Sequence, residues 1–152
     1  MQNLKETPAW KRLEKVLEDR TEDLKNWYLA YVLPLPVRLE LLEKFPPEHA
    51  DVICHHITAN FNVNGEDVRT RSREPARIEI VSLLRQPDLE CFQVRVNGVS
   101  FNVNSDCAYH LTHSIDRASG AKPFHSGQRL NLFASEPIDP IVFYASLELL
   151  RK

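Results

Sequence analysis

The N-terminal part of the chain carries apolar residues at helical spacing. Between positions 7 and 27 these are Trp10, Leu13, Leu17, Leu24 and Trp27, a pattern that predicts an amphipathic helix. Thr7 followed by Pro8 is typical of a helix start, because a threonine hydroxyl caps free backbone N–H groups and proline fits the first helical position. Residues 19–22 interrupt the pattern, so the segment forms one helix or two, with Thr21 as a candidate cap of the second.

A second helix and a series of strands are predicted after this segment. Pro36 opens the helix, apolar residues follow from Val37 to Phe45, and Pro46 ends it. Segments that alternate, or that are rich in branched and aromatic residues, predict strands at 27–33, 52–63, 77–84, 90–96, 99–103, 108–115 and 141–149. A turn at 85–88 joins two of them as a hairpin, and residues 65–76 and 119–126 are predicted to be loops. Interleaved helices and strands predict an α+β fold with helices packed on a mainly antiparallel sheet.

Composition narrows the class of protein. The chain has 152 residues, of which 43% are hydrophobic and 26% charged, values typical of a single globular domain. Nineteen basic and twenty-one acidic residues give a formal charge of −2, so no overall positive field is present to bind a nucleic-acid duplex. A local basic loop can still hold a short strand or a nucleotide.

Targeting and cysteine content point to a reducing compartment. The N-terminal residues lack the apolar segment of a signal peptide, and no apolar run approaches the ~18 residues that span a bilayer. We therefore expect a cytoplasmic protein, or one of the host cytoplasm if the source is viral, with no membrane partner. Cys54, Cys91 and Cys107 are an odd number of cysteines without a CxxC pair, which favours reduced, buried thiols.

The chemistry-bearing feature is a repeated His-x-Thr motif. It occurs as His56-Ile57-Thr58 and as His110-Leu111-Thr112, each within a predicted strand. Residues i and i+2 of a strand point to the same face, so each motif sets an imidazole beside a hydroxyl. The same alternation places Cys54, Asn60 and Ser114 on these polar faces. It assigns the opposite, core-facing side to Ile57, Ala59, Phe61, Leu111 and Ile115, and it gives His55 and His113 a structural role there.

Two such pairs suit acid–base chemistry on a phosphate ester. A neutral imidazole can accept a proton from water or a hydroxyl, and a protonated one can donate to a leaving oxygen. Threonine hydroxyls can donate to the non-bridging oxygens of the phosphate. Hydrogen bonding within the sheet is the alternative role of these side chains. A metal site would have to use His55, His56, His110 and His113, whose side chains diverge along strands; we expect no metal and no cofactor.

These motifs resemble those of the 2H phosphoesterases, a family named for two His-x-Ser/Thr motifs on neighbouring strands. The resemblance covers residues 27–149 in the order of elements. Residues 109–130, Tyr-His-Leu-Thr-His-Ser followed by a polar loop, are most similar to the subgroup that includes tRNA-ligase cyclic phosphodiesterase domains and 2′,3′-cyclic-nucleotide 3′-phosphodiesterase. Two departures are the short separation of 54 positions between the two motif histidines and the unmatched N-terminal helix.

The resemblance implies a fold and an activity. The fold is bilobal and pseudo-symmetric, which divides the chain into an N-terminal helical extension (1–26) and a 2H-like domain (27–152). The activity is metal-independent phosphodiester chemistry on RNA ends or nucleotides, with His56 and His110 as acid and base. Thr58 and Thr112 would then contact the phosphate.

Flanking residues are candidates for substrate contacts. Arg71 and Arg73 follow the first motif and can fold over a phosphate, or form an ordinary solvated loop. Lys122 and Ser126 follow the second motif. Tyr28 and Tyr31 can stack on a base or pack in the core. Asn60 and Ser114 share the motif faces.

Four functional hypotheses remain open on the sequence, the last of them an interaction protein that uses the N-terminal helix with the sheet as scaffold. The first is hydrolysis of a 2′,3′-cyclic phosphate on a small nucleotide or short RNA. The second is degradation of 2′–5′ or cyclic oligonucleotide messengers, as carried out by phage and viral members of the family. The third is a non-catalytic nucleotide-binding module. The charged N-terminal helix adds the expectation of a monomer or a weak homo-oligomer formed through that helix.

Overall fold

The computed structural model describes residues 7–19 and 21–152. The helices are α1 (Pro8–Asp19), α2 (Leu35–Lys44), α3 (Gly65–Thr70) and α4 (His125–Leu132), with 3₁₀ helices at Thr21–Asn26 and Arg117–Ser119. The strands are β1 (Trp27–Val32), β2 (Asp51–Val52), β3 (His56–Asn60), β4 (Ala76–Arg85), β5 (Leu89–Val96), β6 (Phe101–Asn102), β7 (Cys107–Ala108), β8 (His110–Ile115), β9 (Glu136–Ala145) and β10 (Leu147–Arg151).

Both predicted helical segments are confirmed. The Thr7 hydroxyl accepts a hydrogen bond from the Trp10 amide at 3.2 Å, as expected of an N-cap. The interruption after Asp19 becomes a short 3₁₀ helix rather than a second α-helix, and the Thr21 side chain lies outside the described part. Trp10 and Leu13 of α1 pack against the buried pair Leu24 and Val68, which Leu149 of β10 also contacts. None of the helices in the described ranges is long and apolar enough to cross a membrane.

One eight-stranded sheet forms the centre of the fold. Its order is β10-β1-β3-β8-β5-β4-β9, with β2 paired to β8 as well. Every pairing between strands in the described part is antiparallel. Strands β6 and β7 form a separate two-stranded ribbon. The predicted α+β class with a mainly antiparallel sheet is therefore confirmed.

The core lies on one face of this sheet. Leu29, Ile57, Phe92 and Leu111 are fully buried there, and α2 covers them through Leu41. Burying side chains of this size stabilises the fold by roughly 1.5–3 kcal/mol each. Because the core residues of β3 and β8 face α2, their neighbours along each strand face the other side.

The strand predicted at 52–63 is interrupted. Cys54 adopts a left-handed φ of 42°, and its amide still bonds to the Thr112 carbonyl at 2.9 Å. Three residues later, Ile57 pairs with Leu111, so two extra residues are accommodated at 55 and 56 as a bulge. The strand also ends at Asn60 rather than at Val63.

Several other boundaries differ from the predictions. The hairpin of β4 and β5 is confirmed, whereas the predicted loop at 65–76 contains α3. This helix begins with a capping box in which Asn64 and Asp67 each bond to the backbone of the other. Helix α4 was not predicted. The segment at 108–115 breaks before His110, and the last predicted strand is the two strands β9 and β10.

Candidate active site

A cavity of about 690 Å³ lies on the face of the sheet opposite α2, where β3 and β8 meet. It contains both His-x-Thr motifs. The lining residues are Tyr28, Ile53, His56, Thr58, Phe61, Asn62, Asn104, Ser105, Asp106, Cys107, His110, Thr112, Pro123, Phe124 and Lys152. A volume of this size is typical of small-molecule sites, which occupy roughly 300–1,000 Å³.

The pairing of β3 with β8 brings the two motifs together. Ile57 and Leu111 are register partners, and both side chains are fully buried in the core. Alternation along a strand therefore turns the residues on either side of each partner toward the cavity. The four side chains placed in this way are His56, Thr58, His110 and Thr112. Antiparallel pairing sets the histidine of one motif on the side of the threonine of the other.

His110 is held in one orientation by the backbone. Its Nδ1 lies 2.8 Å from the carbonyl oxygen of Ala108, which can only accept a hydrogen bond. In the neutral ring Nδ1 therefore carries the proton and Nε2 keeps a free lone pair. Burial lowers the pKa of His110, and the bond to Ala108 opposes that shift in part. The ring is thus neutral near pH 7 and can accept a proton through Nε2.

His56 has a different environment. Its Nδ1 lies 3.0 Å from Nδ1 of His55, and its ring packs at a centroid distance of 5.3 Å from that of Tyr28. Burial lowers the pKa of His56 to about 4, and the neighbouring charges of His55 and His110 add to the effect. His55 itself is exposed and touches His56, so it does not have the structural role on the core side that was predicted for it.

The two motif threonines differ in their hydrogen bonds. Within the described residues the Thr58 hydroxyl has no partner and is available to a ligand. The Thr112 hydroxyl donates to the Pro123 carbonyl at 3.1 Å and lies 2.8 Å from Oγ of Ser126. Ser126 is fully buried and does not line the cavity, so it contacts Thr112 rather than a substrate as predicted. A contact between Thr112 and a phosphate requires its hydroxyl to exchange one of these bonds.

Two exposed aromatic rings line the cavity. Phe61 and Phe124 are 50% and 57% exposed, although phenylalanine is usually buried. The Lys152 ammonium lies 4.1 Å from the ring centroid of Phe61, and that of Lys122 lies 6.0 Å from the centroid of Phe124. Exposed rings beside cations are suited to stacking with a nucleobase and to attracting an anion.

Three predicted substrate contacts lie on the wrong side of the sheet. Tyr31 is buried in the core, whereas Tyr28 lines the cavity. Arg71 bonds to the Asn60 side chain, and neither residue lines the cavity. The register of β3 against β1 shifts between Thr58 and Asn60, so that Asn60 pairs with Leu29 of the core, and this shift breaks the alternation on which the prediction for Asn60 depended. Arg71 follows α3, which carries it to the opposite face of the sheet.

Three further predictions are corrected by hydrogen bonds and burial. Arg73 donates to the carbonyls of Val68 and Arg71, and its guanidinium lies over the Trp10 ring. Ser114 is fully buried and donates to Oε1 of Glu90 at 2.5 Å. Cys54, which was predicted on the polar face, is fully buried in the core, because its left-handed backbone reverses the direction of the side chain.

The expectations for His113 and for two of the three cysteines are met. His113 is fully buried and its Nε2 bonds to the Phe45 carbonyl at 2.6 Å, which confirms its structural role. The three cysteines are free thiols. Cys54 and Cys91 are buried, whereas Cys107 is half-buried and lines the cavity.

Several residues that line the cavity were not predicted from the sequence. Phe61 was predicted to face the core, but it follows the last residue of β3 and is free of the strand alternation. No hydrophobic or polar pattern in the sequence identified Phe124 and Lys152, since both lie outside the strands. Within the described ranges no group of three or more His, Cys, Asp or Glu side chains is arranged to hold a metal ion.

The fold and the cavity are the basis for assigning a class of protein. Comparison of the chain with protein-family models, with curated proteins and with solved structures gave no match. The class indicated by the site therefore depends on the geometry of its own residues.

Proposed function

We propose that the protein is a phosphodiesterase that uses His56 and His110 as general acid and base. The observation that carries this proposal is that both His-x-Thr motifs line one cavity from adjacent antiparallel strands. Two imidazoles and two hydroxyls facing the same space are the groups that proton transfer and phosphate binding need. The substrate is a phosphodiester that includes a ribose 2′ oxygen.

The orientation of His110 supports its role as the base. In hydrolysis of a 2′,3′-cyclic phosphate, Nε2 of His110 takes a proton from water as the water oxygen attacks phosphorus. The bond from phosphorus to the ribose oxygen breaks, and His56 gives a proton to the departing oxygen. Because a bound phosphate is negative, it raises the pKa of a nearby imidazole, so His56 takes up a proton from solvent when the substrate binds.

The threonines and their neighbours complete the proposed site. Thr58 donates directly to a non-bridging phosphate oxygen, while Ser126 holds Thr112 for the same task. Negative charge that accumulates on these oxygens in the transition state is stabilised by such fixed donors. The proposed reaction is independent of a metal ion, since proton transfer and charge stabilisation are both assigned to side chains.

The sheet supports membership of the 2H phosphoesterases. Strands β3 and β8 lie at its middle, with β1 and β10 on one side and β5, β4 and β9 on the other. Each half contributes one motif, which is the arrangement that a bilobal 2H fold requires. The N-terminal helix α1 packs on the half that contains β10.

Two exposed phenylalanines in the cavity favour a second candidate substrate beside the terminal cyclic phosphate. Phe61 follows β3 and Phe124 precedes α4, and both line the cavity, where they provide two surfaces for stacking. A ligand with two bases on either side of a phosphate uses both surfaces, whereas a cyclic mononucleotide uses one. This observation favours 2′–5′ or cyclic oligonucleotides as alternative substrates.

Mass spectrometry of reaction products tests the proposal. Wild-type protein is incubated with 2′,3′-cyclic AMP, 2′–5′ oligoadenylate and cyclic dinucleotides, with and without EDTA. The substitutions His56→Ala and His110→Ala are each expected to lower the rate by at least ~10²-fold. His49→Ala is the matched control, because His49 bonds to the Gln86 carbonyl away from the cavity.

The alternatives predict different outcomes. Near wild-type rates in both alanine variants contradict the assigned chemistry, and activity abolished by EDTA contradicts metal independence. Tight binding of a nucleotide by calorimetry without turnover over hours identifies a non-catalytic binding module instead.

A further inference from the structure

A second cavity, of about 390 Å³, lies on the opposite side of the sheet from the candidate active site. It shares no lining residue with the first. Tyr31 and Tyr109 line it, whereas their near neighbours Tyr28 and His110 line the first cavity. None of the chemistry proposed above uses this space.

Arg71 is the one cationic side chain among the residues that line this second cavity. Arg71 donates to the Asn60 side chain and lies close to the phenol of Tyr31, and both of these groups are neutral. Among the described residues no carboxylate lies within ion-pair distance of Arg71. A guanidinium has five N–H donors, so donors remain for a ligand. The phenols of Tyr31 and Tyr109 have pKa values raised by burial and lowered in part by the Arg71 charge.

The next arginine along the chain is turned away from this cavity. Arg73 uses two of its nitrogens on backbone carbonyls, and its guanidinium lies 4.1 Å from the Trp10 ring centroid. Glu74 also lines the cavity and contributes a negative charge. The site thus offers one available cation beside one acid, a balance that suits a singly charged anion better than a phosphate dianion.

The opposite wall is apolar and open to solvent. Val99, Phe101 and Val103 are 53%, 47% and 81% exposed, and all three line the cavity. Three adjacent exposed apolar side chains are unusual on a surface without a ligand. They stand beside the two tyrosines, so the cavity has a cationic end and an apolar wall.

We propose that this cavity binds a small organic monocarboxylate with an apolar body. The carboxylate accepts hydrogen bonds from the free donors of Arg71, whose planar fork matches the two oxygens. The apolar body packs on Phe101 and Val103 and removes their surface from water. Binding here is independent of the proposed phosphodiesterase activity, because the two cavities are separate.

NMR titration with 4-phenylbutyrate tests the proposal. We expect it to shift the Arg71 Nε–H resonance and the amides of Tyr31 and Tyr109. The uncharged amide, 4-phenylbutanamide, is expected to bind about tenfold or more weakly, since it lacks the charge-assisted bonds. Equal shifts with both compounds, or shifts centred on His56 and His110, overturn the proposal.

Variants separate a ligand role from a folding role. Arg71→Gln is expected to raise the Kd for 4-phenylbutyrate about tenfold or more, but this change also removes a bond to Asn60. Val103→Asp is the second variant: Val103 is 81% exposed, so the fold tolerates the change, and the new carboxylate repels the ligand. Arg95→Gln, on an exposed part of β5 outside both cavities, is the control. Unchanged affinity in Val103→Asp, or a dimer that covers Phe101 and excludes the ligand, contradicts the proposal.

Discussion

Nδ1 of His110 is fixed by the backbone carbonyl of Ala108 at 2.8 Å, and this bond determines which ring nitrogen faces the cavity. Since a carbonyl cannot donate, the neutral ring carries its proton on Nδ1. We predict that two-bond ¹H–¹⁵N correlation spectra near pH 7.5 show His110 as the Nδ1–H tautomer. A signal from the Nε2–H tautomer would contradict the assigned role of Nε2 as proton acceptor.

The pH dependence of kcat/KM follows from the two lowered pKa values. The proposed mechanism needs one neutral and one protonated imidazole. Burial lowers the pKa of His110, and burial with neighbouring charges lowers that of His56 to about 4, so both rings are neutral at pH 7. We predict that kcat/KM rises as the pH falls from 8 toward 5 and declines once both rings are protonated. Initial rates across this range measure it, and an optimum above pH 7 would refute it.

The lowered pKa of His56 also makes the stability of the fold depend on pH. The pKa of His56 in the folded protein is about 4, against 6.5 as the ordinary value, so the unfolded chain binds more protons between these limits. His56 therefore favours the folded state fully above pH 6.5, and this contribution is lost as the pH falls from 6.5 to 4. It amounts to no more than about 3 kcal/mol.

Urea unfolding of wild type and His56→Gln at pH 7 and pH 4.5 measures this contribution. We predict that the free energy of unfolding falls more steeply in the wild type than in the variant. Other groups with shifted pKa values, His113 among them, affect both proteins equally and cancel in the difference. Parallel losses in the two proteins would show that His56 titrates normally.

Gly127 of α4 is in close contact with the candidate active site. A Cβ at this position would lie 2.8 Å from Sγ of Cys107 and 3.2 Å from Cε1 of His110. We predict that Gly127→Ala lowers the free energy of unfolding by about 1–3 kcal/mol and reduces kcat by displacing His110. Asn131→Ala, at an exposed position of the same helix, controls for the higher helix propensity of alanine.

A double-mutant cycle tests whether contact with Cys107 causes the loss of stability in Gly127→Ala. Cys107→Ala removes the sulfur that makes the closest contact and leaves Cβ at 3.1 Å from the added methyl group. The double variant Gly127→Ala/Cys107→Ala should therefore recover part of the lost stability. Purely additive effects would mean that Cys107 is not the group that resists the added methyl.

The regular elements could be predicted because their signals are local. Proline at the start of α2, alternation in β4 and β5, and the threonine cap of α1 each depend on a few neighbouring residues. The capping box of Asn64 and Asp67 was also readable, but the polar composition of α3 concealed the helix. No local signal marked the left-handed conformation of Cys54, since φ values above zero are rare outside glycine.

The candidate site could be predicted only as far as strand alternation holds. His56, Thr58, His110 and Thr112 flank two paired core residues, and all four reach one cavity. Alternation fails at the left-handed Cys54, at the register shift between Thr58 and Asn60 and beyond the end of β3, which explains the errors at Cys54, Asn60 and Phe61. The position of Arg71 depends on how α3 packs, and that packing is a property of the whole fold rather than of the segment.

The residues that line the cavity come partly from strands and partly from connecting segments. Its proposed acid, base and phosphate donors come from the hydrogen-bonded strands β3 and β8, whereas Phe61 and Phe124 come from the segments that connect strands and helices. Substitutions in connecting segments are tolerated far better than those in a buried sheet. If the proposed function holds, selection or engineering can therefore alter which nucleobases are accepted while the proposed catalytic residues keep their geometry.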